Sequence, residues 1–201
     1  MSKIRKSNLG PGVQRRDGVL VDTNKGSSAS QLYEPASVCE TLDGYKAIAE
    51  DHIARYRREG YLAVENFYSR SEVQGALDAI DNLISGGVPE FDGILLEGHV
   101  ESHIDELTLE QRAEAVRKIM DFTHFDQRLS AMSEHPLLLD VVERILETEA
   151  EMTQEMALLK LPGGREKPWH QDHAYFDYPL DQRIVGAWIS LDEANLGNSC
   201  M

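Results

Sequence analysis

Cysteine is scarce in this sequence: Cys39 and Cys200 are the only two among 201 residues. They share no metal-ligand or redox spacing, so neither a disulfide framework nor a zinc site is encoded, and a reducing, cytoplasmic compartment is the expected setting. Long apolar runs are missing as well. No stretch approaches the roughly 18–20 consecutive apolar residues of a membrane span, and the mean hydropathy is -0.40, so no membrane partner is expected. Basic residues are in deficit: Lys and Arg number 20 against 35 Asp and Glu, for a formal net charge of -15. That is the wrong sign for a surface that tracks phosphates, which excludes nucleic acid as an expected partner. Gly163-Gly164 lacks the Gly-Lys-Ser/Thr ending of a phosphate loop, and no internal repeat is present.

What remains is an ordinary globular composition, 41% hydrophobic and 27% charged, enough for one substantial domain. The charge is uneven along it. Residues 1–16 contain Lys3, Arg5, Lys6, Arg15 and Arg16 and no acid, leaving -20 on the rest. With Gly10-Pro11-Gly12 inside it and no apolar h-region, residues 1–41 read as a disordered basic tail, an organellar transit peptide being the alternative. The polar run from Asn24 to Ser30 extends the tail, and the ordered domain is expected over 42–201.

Helical spacing begins at Tyr45, with Ile48, Ala49, Ile53 and Tyr56 on one stripe and Gly60 as the stop. Tyr61-Leu62-Ala63-Val64 reads as a short strand. Ser69 and Glu72 have capping-box spacing before the stripe Val73, Ala76, Leu77, Ile80, Leu83 and Ile84. Thr108 and Gln111 repeat that signature and open a helix expected to run into Lys118-Ile119-Met120-Asp121-Phe122. His135-Pro136 starts another, with Leu137, Leu138, Val141, Val142 and Ile145 as its buried face. Beyond about residue 150 the texture turns to strands, Gln154–Leu161 and Ile184–Leu191, separated by a Pro162-Gly163-Gly164 turn. Helices first and strands second predict an α+β fold.

The densest polar and aromatic constellation is Pro168-Trp169-His170-Gln171-Asp172-His173-Ala174-Tyr175-Phe176. In an extended segment His170 and Asp172 point to one face, so an imidazole nitrogen and a carboxylate oxygen can reach one cation while His173 faces away. Such a pair is two of the three ligands of a 2-His-1-carboxylate site. With 7 His and 15 Asp in the chain, roughly half of one His-x-Asp match arises by chance, so a polar surface turn is the competing reading of the triplet alone. His52, His99, His103, His124 and His135 have no spacing partner and read as structural.

The surrounding motifs add what the triplet lacks. Leu158-Leu159-Lys160-Leu161-Pro162-Gly163-Gly164, then Pro168-Trp169-His170-Gln171-Asp172 with Tyr175-Phe176, then Ala187-Trp188-Ile189-Ser190-Leu191-Asp192 resemble the phytanoyl-CoA dioxygenase family. Upstream, the run from Tyr56 to Phe67 is similar to that family's opening helix and strand, so the resemblance covers about residues 45–201. It implies N-terminal helices packed on a double-stranded β-helix, a jelly-roll or cupin-like core of which only the first part is present. It also implies a non-haem oxygenase using Fe(II), 2-oxoglutarate as co-substrate and O2, with ascorbate as a reductant.

Carried over residue by residue, the resemblance makes His170 and Asp172 iron ligands and Lys118, Met156 and Trp188 contacts to 2-oxoglutarate. On their own, Lys118 reads equally as a solvated lysine at a helix end, Met156 as core filler and Trp188 as a packed strand aromatic. Arg183 and Lys160 are competing cations for the dicarboxylate. Asp172 points to hydroxylation rather than halogenation, because related halogenases lack that carboxylate.

The family's third ligand is a distal His followed by an Arg. After His173 there is no further His, and the single Arg is Arg183. The expectation is therefore a partial reading frame, poorly stable alone, of an enzyme that hydroxylates an unactivated C–H bond of a small organic or acyl substrate with succinate and CO2 as co-products. A non-catalytic β-helix remnant serving as a binding or scaffold module is the alternative.

Overall fold

The computed structural model describes residues 13–16, 19–22, 37–162, 164, 170–176, 178–179 and 181–198. In chain order these form β1 (Val13–Arg16), β2 (Val19–Asp22), β3 (Thr41–Asp43), α1 (Glu50–Glu59), β4 (Ala63–Glu65), α2 (Arg70–Ile84), β5 (Ile94–Leu96), α3 (Leu109–Ala113), β6 (Val116–Met120), α4 (Gln127–Ser133), α5 (Pro136–Leu146) and β7 (Met156–Leu158). Three 3-10 segments, Tyr45–Ala47, Gly98–Glu106 and Asp172–Tyr175, complete the set. The architecture is α+β, as the pattern of elements predicts.

Local chemistry explains where the helices start. Ser69 Oγ accepts the Glu72 N–H at 3.3 Å and the Glu72 carboxylate accepts the Ser69 N–H at 2.7 Å, so the capping box opens α2 as read. The hydrogen bonds with Ser69 hold the Glu72 carboxyl below its usual range. Thr108 and Gln111 do the same for α3. At α5, Pro136 takes the first helical position and His135 Nδ1 accepts the Leu137 N–H at 3.2 Å. Gly60, at φ 84°, ends α1 in the left-handed conformation that glycine adopts without strain.

Two sheets organise the described strands. The larger sheet runs β1-β2-β5-β6-β7, with β2 parallel to β5 and every other pair antiparallel, and β3 pairs with β4 in a separate parallel ribbon. Directly opposed residues share a face. One row therefore holds Ile94, Ile119 and Ala157 against α2 and α4, whose Ala76, Ala79, Ile80, Leu83, Leu129 and Met132 build the main core. The opposite face carries the row Leu20, Leu95, Lys118 and Leu158, with Met120 opposed to Met156 beside it. Leu20, Leu95 and Met120 cluster there, each at most 3% exposed. A second helical layer joins α1 and α5 through Ile53, Val141 and Ile145.

The Tyr68 ring lies against His135 and Phe67, and its hydroxyl donates to the Met132 carbonyl at 3.0 Å. Burial, reinforced by the Glu72 charge, pushes its pKa up from 10.0 to about 12. Because the folded pKa is the higher one, the unfolded chain loses this proton first, and stability falls as pH rises from about 10 to 12. In Tyr68→Phe that part of the alkaline decline is expected to vanish, read as a shallower loss of the urea midpoint over the same pH window.

Three sequence expectations are corrected. Residues 1–41 are not all tail, since β1 and β2 lie inside them and Leu20 is 2% exposed against Leu95. The basic composition of the segment masked the short β-forming run Val19-Leu20-Val21. Helix α3 stops at Ala113, and Lys118-Ile119-Met120 is strand β6, because a cap decides where a helix begins and the flanking β5 and β7 claim the residues after it. Ile184–Leu191 pairs with no described strand; its alternation is real, with Val185, Ile189 and Leu191 packed inward, but no ladder partner is placed beside it. The double-stranded β-helix implied by the resemblance is not displayed among the described residues, which form an open mixed sheet.

Candidate functional site

Lys118 and Met156 stand 38 positions apart in the sequence, and the β6–β7 ladder brings them to one face of the sheet. Lys118 is opposed to Leu158, and Met156 to Met120, on the side away from α2 and α4. Lys118 is half-buried, whereas Met156 and Leu158 are each 40% exposed. Met156 is thus not core filler, and Lys118 is a strand residue rather than a lysine at a helix end. The result is a cation beside accessible apolar side chains, a combination suited to an anionic small molecule with a hydrocarbon stem.

His170 and Asp172 also meet. His170 Nε2 lies 3.1 Å from Asp172 Oδ1. The contact is made by extended Gln171 leading into the 3-10 turn at Asp172 rather than by a continuous strand. Both side chains are accessible, Asp172 the more so. Imidazole nitrogen plus carboxylate oxygen is a donor set suited to a divalent first-row cation, and convergence of the two atoms fits such an ion. Among the described residues, no group of three His, Cys, Asp or Glu side chains is assembled for a metal. His173 is partly buried, and among the described residues its Nε2 has no hydrogen-bond partner. Gly163, Pro168 and Trp169 of the motif, like Cys200, lie outside the described residues.

Trp188 is 60% exposed, on the outward parity of a segment whose inward residues are Val185, Ile189 and Leu191. It is an accessible indole, not a packed strand aromatic. Arg183 does not act as a free cation: its guanidinium donates to Glu147 at 2.9 Å, and Arg57 reaches the same carboxylate at 2.9 Å. The Arg183 hydrogen bond, followed by the charge of Arg57, holds the Glu147 carboxyl below its ordinary range. These residues line a shallow cleft of about 320 Å³ together with Tyr56, Ile145 and Val185, and none of Lys118, Met156, His170, Asp172 or Trp188 borders it. His52 and His135 serve helix starts, which accounts for them structurally.

Two polar features leave no signal in the sequence. Glu97 and Arg117 form an ion pair at 3.0 Å with side chains 6% and 12% exposed, and Glu155 holds Thr123. Neither pairing has a spacing signature, since each joins strands distant in sequence.

An α+β chain with a joined His-x-Asp pair and a half-buried lysine on the sheet face away from α2 and α4 defines a class that comparison with known sequences narrows. The family model described as Phytanoyl-CoA dioxygenase (PhyH) matches residues 56–201, and the chain belongs to that family. It is 22% identical over 187 residues to the human protein named "Phytanoyl-CoA dioxygenase, peroxisomal", covering 91% of this chain and 54% of that protein. To the "Ectoine dioxygenase" of Bordetella bronchiseptica it is 27% identical over 128 residues, covering 63% of this chain and 37% of the relative. The chain thus spans about half, or less, of the length of these relatives. No solved structure matches it significantly. Among the described residues no helix is long and apolar enough to cross a membrane.

Proposed function

We propose that this chain contributes to an Fe(II)- and 2-oxoglutarate-dependent dioxygenase that hydroxylates an unactivated C–H bond of a small organic or acyl substrate. The observation that carries the reading is the 3.1 Å approach of His170 Nε2 to Asp172 Oδ1 within the span matched by the family. In this reading the sheet formed by β5, β6 and β7 is the first part of a double-stranded β-helix, and the names of the relatives point to an acyl thioester or a small polar organic molecule as substrate.

The His170 imidazole and the Asp172 carboxylate would hold the iron. Lys118 would neutralise a carboxylate of 2-oxoglutarate, Met156 would present an apolar wall to its methylenes, and Trp188 would offer its indole to the same co-substrate. When bound, iron and 2-oxoglutarate supply the oxidation, O2 being consumed and succinate and CO2 released with the hydroxylated product. The protein's part is orientation and the exclusion of water from the reacting centre.

With the chain extended to the length of its relatives, anaerobic addition of Fe(II) and 2-oxoglutarate is expected to give a visible charge-transfer band that His170→Ala abolishes, whereas the 201 residues alone should bind the ion weakly. Asp172→Gly should weaken the band and uncouple succinate formation from hydroxylation, because one anionic ligand is lost while the imidazole and the chelating co-substrate remain. A band unchanged in His170→Ala overturns the assignment.

A further inference from the structure

Strand β7 is short and, among the described strands, pairs only with β6. Its residues Met156-Ala157-Leu158, with Leu159 just after them, are apolar on both parities. Register in a sheet is specified when one parity must be buried and the other must not, and a slip of one residue moves every side chain to the opposite face. Here the hydrophobic pattern scarcely discriminates: a slip would bury Met156 and Leu158 against α2 and α4 and turn Ala157 and Leu159 outward. Something other than hydrophobic alternation must select the observed pairing of Met120 with Met156 and Lys118 with Leu158.

The residue immediately before β7 does this. Glu155 Oε1 accepts the Thr123 backbone N–H at 3.0 Å and the Thr123 hydroxyl at 2.9 Å. Thr123 is 9% exposed and stands just past the end of β6, where Asp121 turns the chain at φ 56° and Phe122 plugs the core. A backbone amide in that corner has no place in the ladder and requires an acceptor. Both ends of the contact are therefore fixed: Thr123 by a buried turn, Glu155 by its position one residue before Met156.

We propose that Glu155 is a positioning residue that sets the register of β7 on β6 and so presents Met156 and Leu158 on the face carrying Lys118. The consequence for 2-oxoglutarate rests on the function proposed above; the register itself does not.

Opposed residues of a non-hydrogen-bonded antiparallel pair lie about 4.5 Å apart at Cα, within reach of a disulfide. Met120 and Met156 form such a pair, since Leu159 N–H bonds to Arg117 C=O in the alternate row. In a background with Cys39 and Cys200 replaced by Ser, Met120→Cys/Met156→Cys is expected to cross-link readily under mild oxidation. Adding Glu155→Ala should cut the rate at least about tenfold, the order set by loss of a charge-assisted hydrogen bond. Glu155→Gln, which keeps the acceptor oxygen, should retain most of it. Thr123→Val, which keeps the amide donor, should fall between the two and decides the matter if the Ala variant does not fold. Undiminished cross-linking in Glu155→Ala, or in Thr123→Val where that variant is the one that folds, overturns the proposal.

In the chain extended to the length of its relatives and without added cysteines, Glu155→Ala should raise KM for 2-oxoglutarate with little change in kcat, rescued by Gln. Slowed cross-linking with an unmoved KM would uphold the register role and instead overturn the placement of Met156 at the co-substrate.

Discussion

Arg117→Met is expected to lower stability by about 3–5 kcal/mol, the range for removing one partner of a buried ion pair. The pair sits at a β-bulge. Leu95 is opposed to Lys118 but Leu96 to Val116, so Arg117 is the extra residue on β6. A bulge re-aims side chains locally, and here the guanidinium meets Glu97 just past the end of β5. The Glu97 backbone N–H bonds to the Ala115 carbonyl at 2.8 Å, and Glu97 is only 4% exposed, so its carboxylate cannot turn out to water without breaking the strand end. Methionine fills the space of the arginine stem and leaves a buried charge without that guanidinium. Urea denaturation of the single variant should show the loss. The double variant Glu97→Leu/Arg117→Met should recover most of it, because two apolar side chains need no charge compensation. A loss in the single variant below about 1 kcal/mol would mean that the pair behaves as a solvated surface contact instead.

Gly93→Ala should cost about 3 kcal/mol, the upper end of the overpacking range. A Cβ at Gly93 would stand 2.0 Å from the Met120 carbonyl oxygen and 2.8 Å from the Phe91 ring. The obstruction is backbone, and the same two residues are tied by the Met120 N–H to Gly93 C=O bond at 2.9 Å. Relief requires moving β5 away from β6, which opens the row containing Ile94 and Ile119. For a domain of this size the melting temperature is expected to fall by roughly 6–12 °C. Gly75 gives the contrast: inside α2, its Cβ would meet only the Arg128 side chain at 3.6 Å. Gly75→Ala should therefore stabilise by about 0.5–1 kcal/mol, the helical preference of alanine over glycine. Similar melting temperatures for the two variants would contradict the packing at β5–β6.

The features legible in the sequence were those built from neighbours. Ser69 with Glu72, Thr108 with Gln111, Pro136 after His135 and Gly60 after α1 each act across at most a few residues, and each marks an element boundary where it was expected. The contact of His170 with Asp172 is equally local, two positions apart. Everything that depends on a partner strand was decided by the tertiary structure. The Val19–Asp22 strand is ordered against β5 more than 70 residues away, Lys118 becomes a strand residue because β5 and β7 flank it, and Ile184–Leu191 alternates without a ladder partner among the described residues. Lys118 and Met156 share a face only because β6 and β7 pair in one register, and Glu97 with Arg117 is joined by a bulge that no spacing rule announces. The physical reason is common to all of these. A cap satisfies orphaned N–H groups within one turn of chain, so its energy is available before the rest folds. A strand gains its hydrogen bonds and its buried face only when a distant segment is brought beside it, and local propensity does not name that segment.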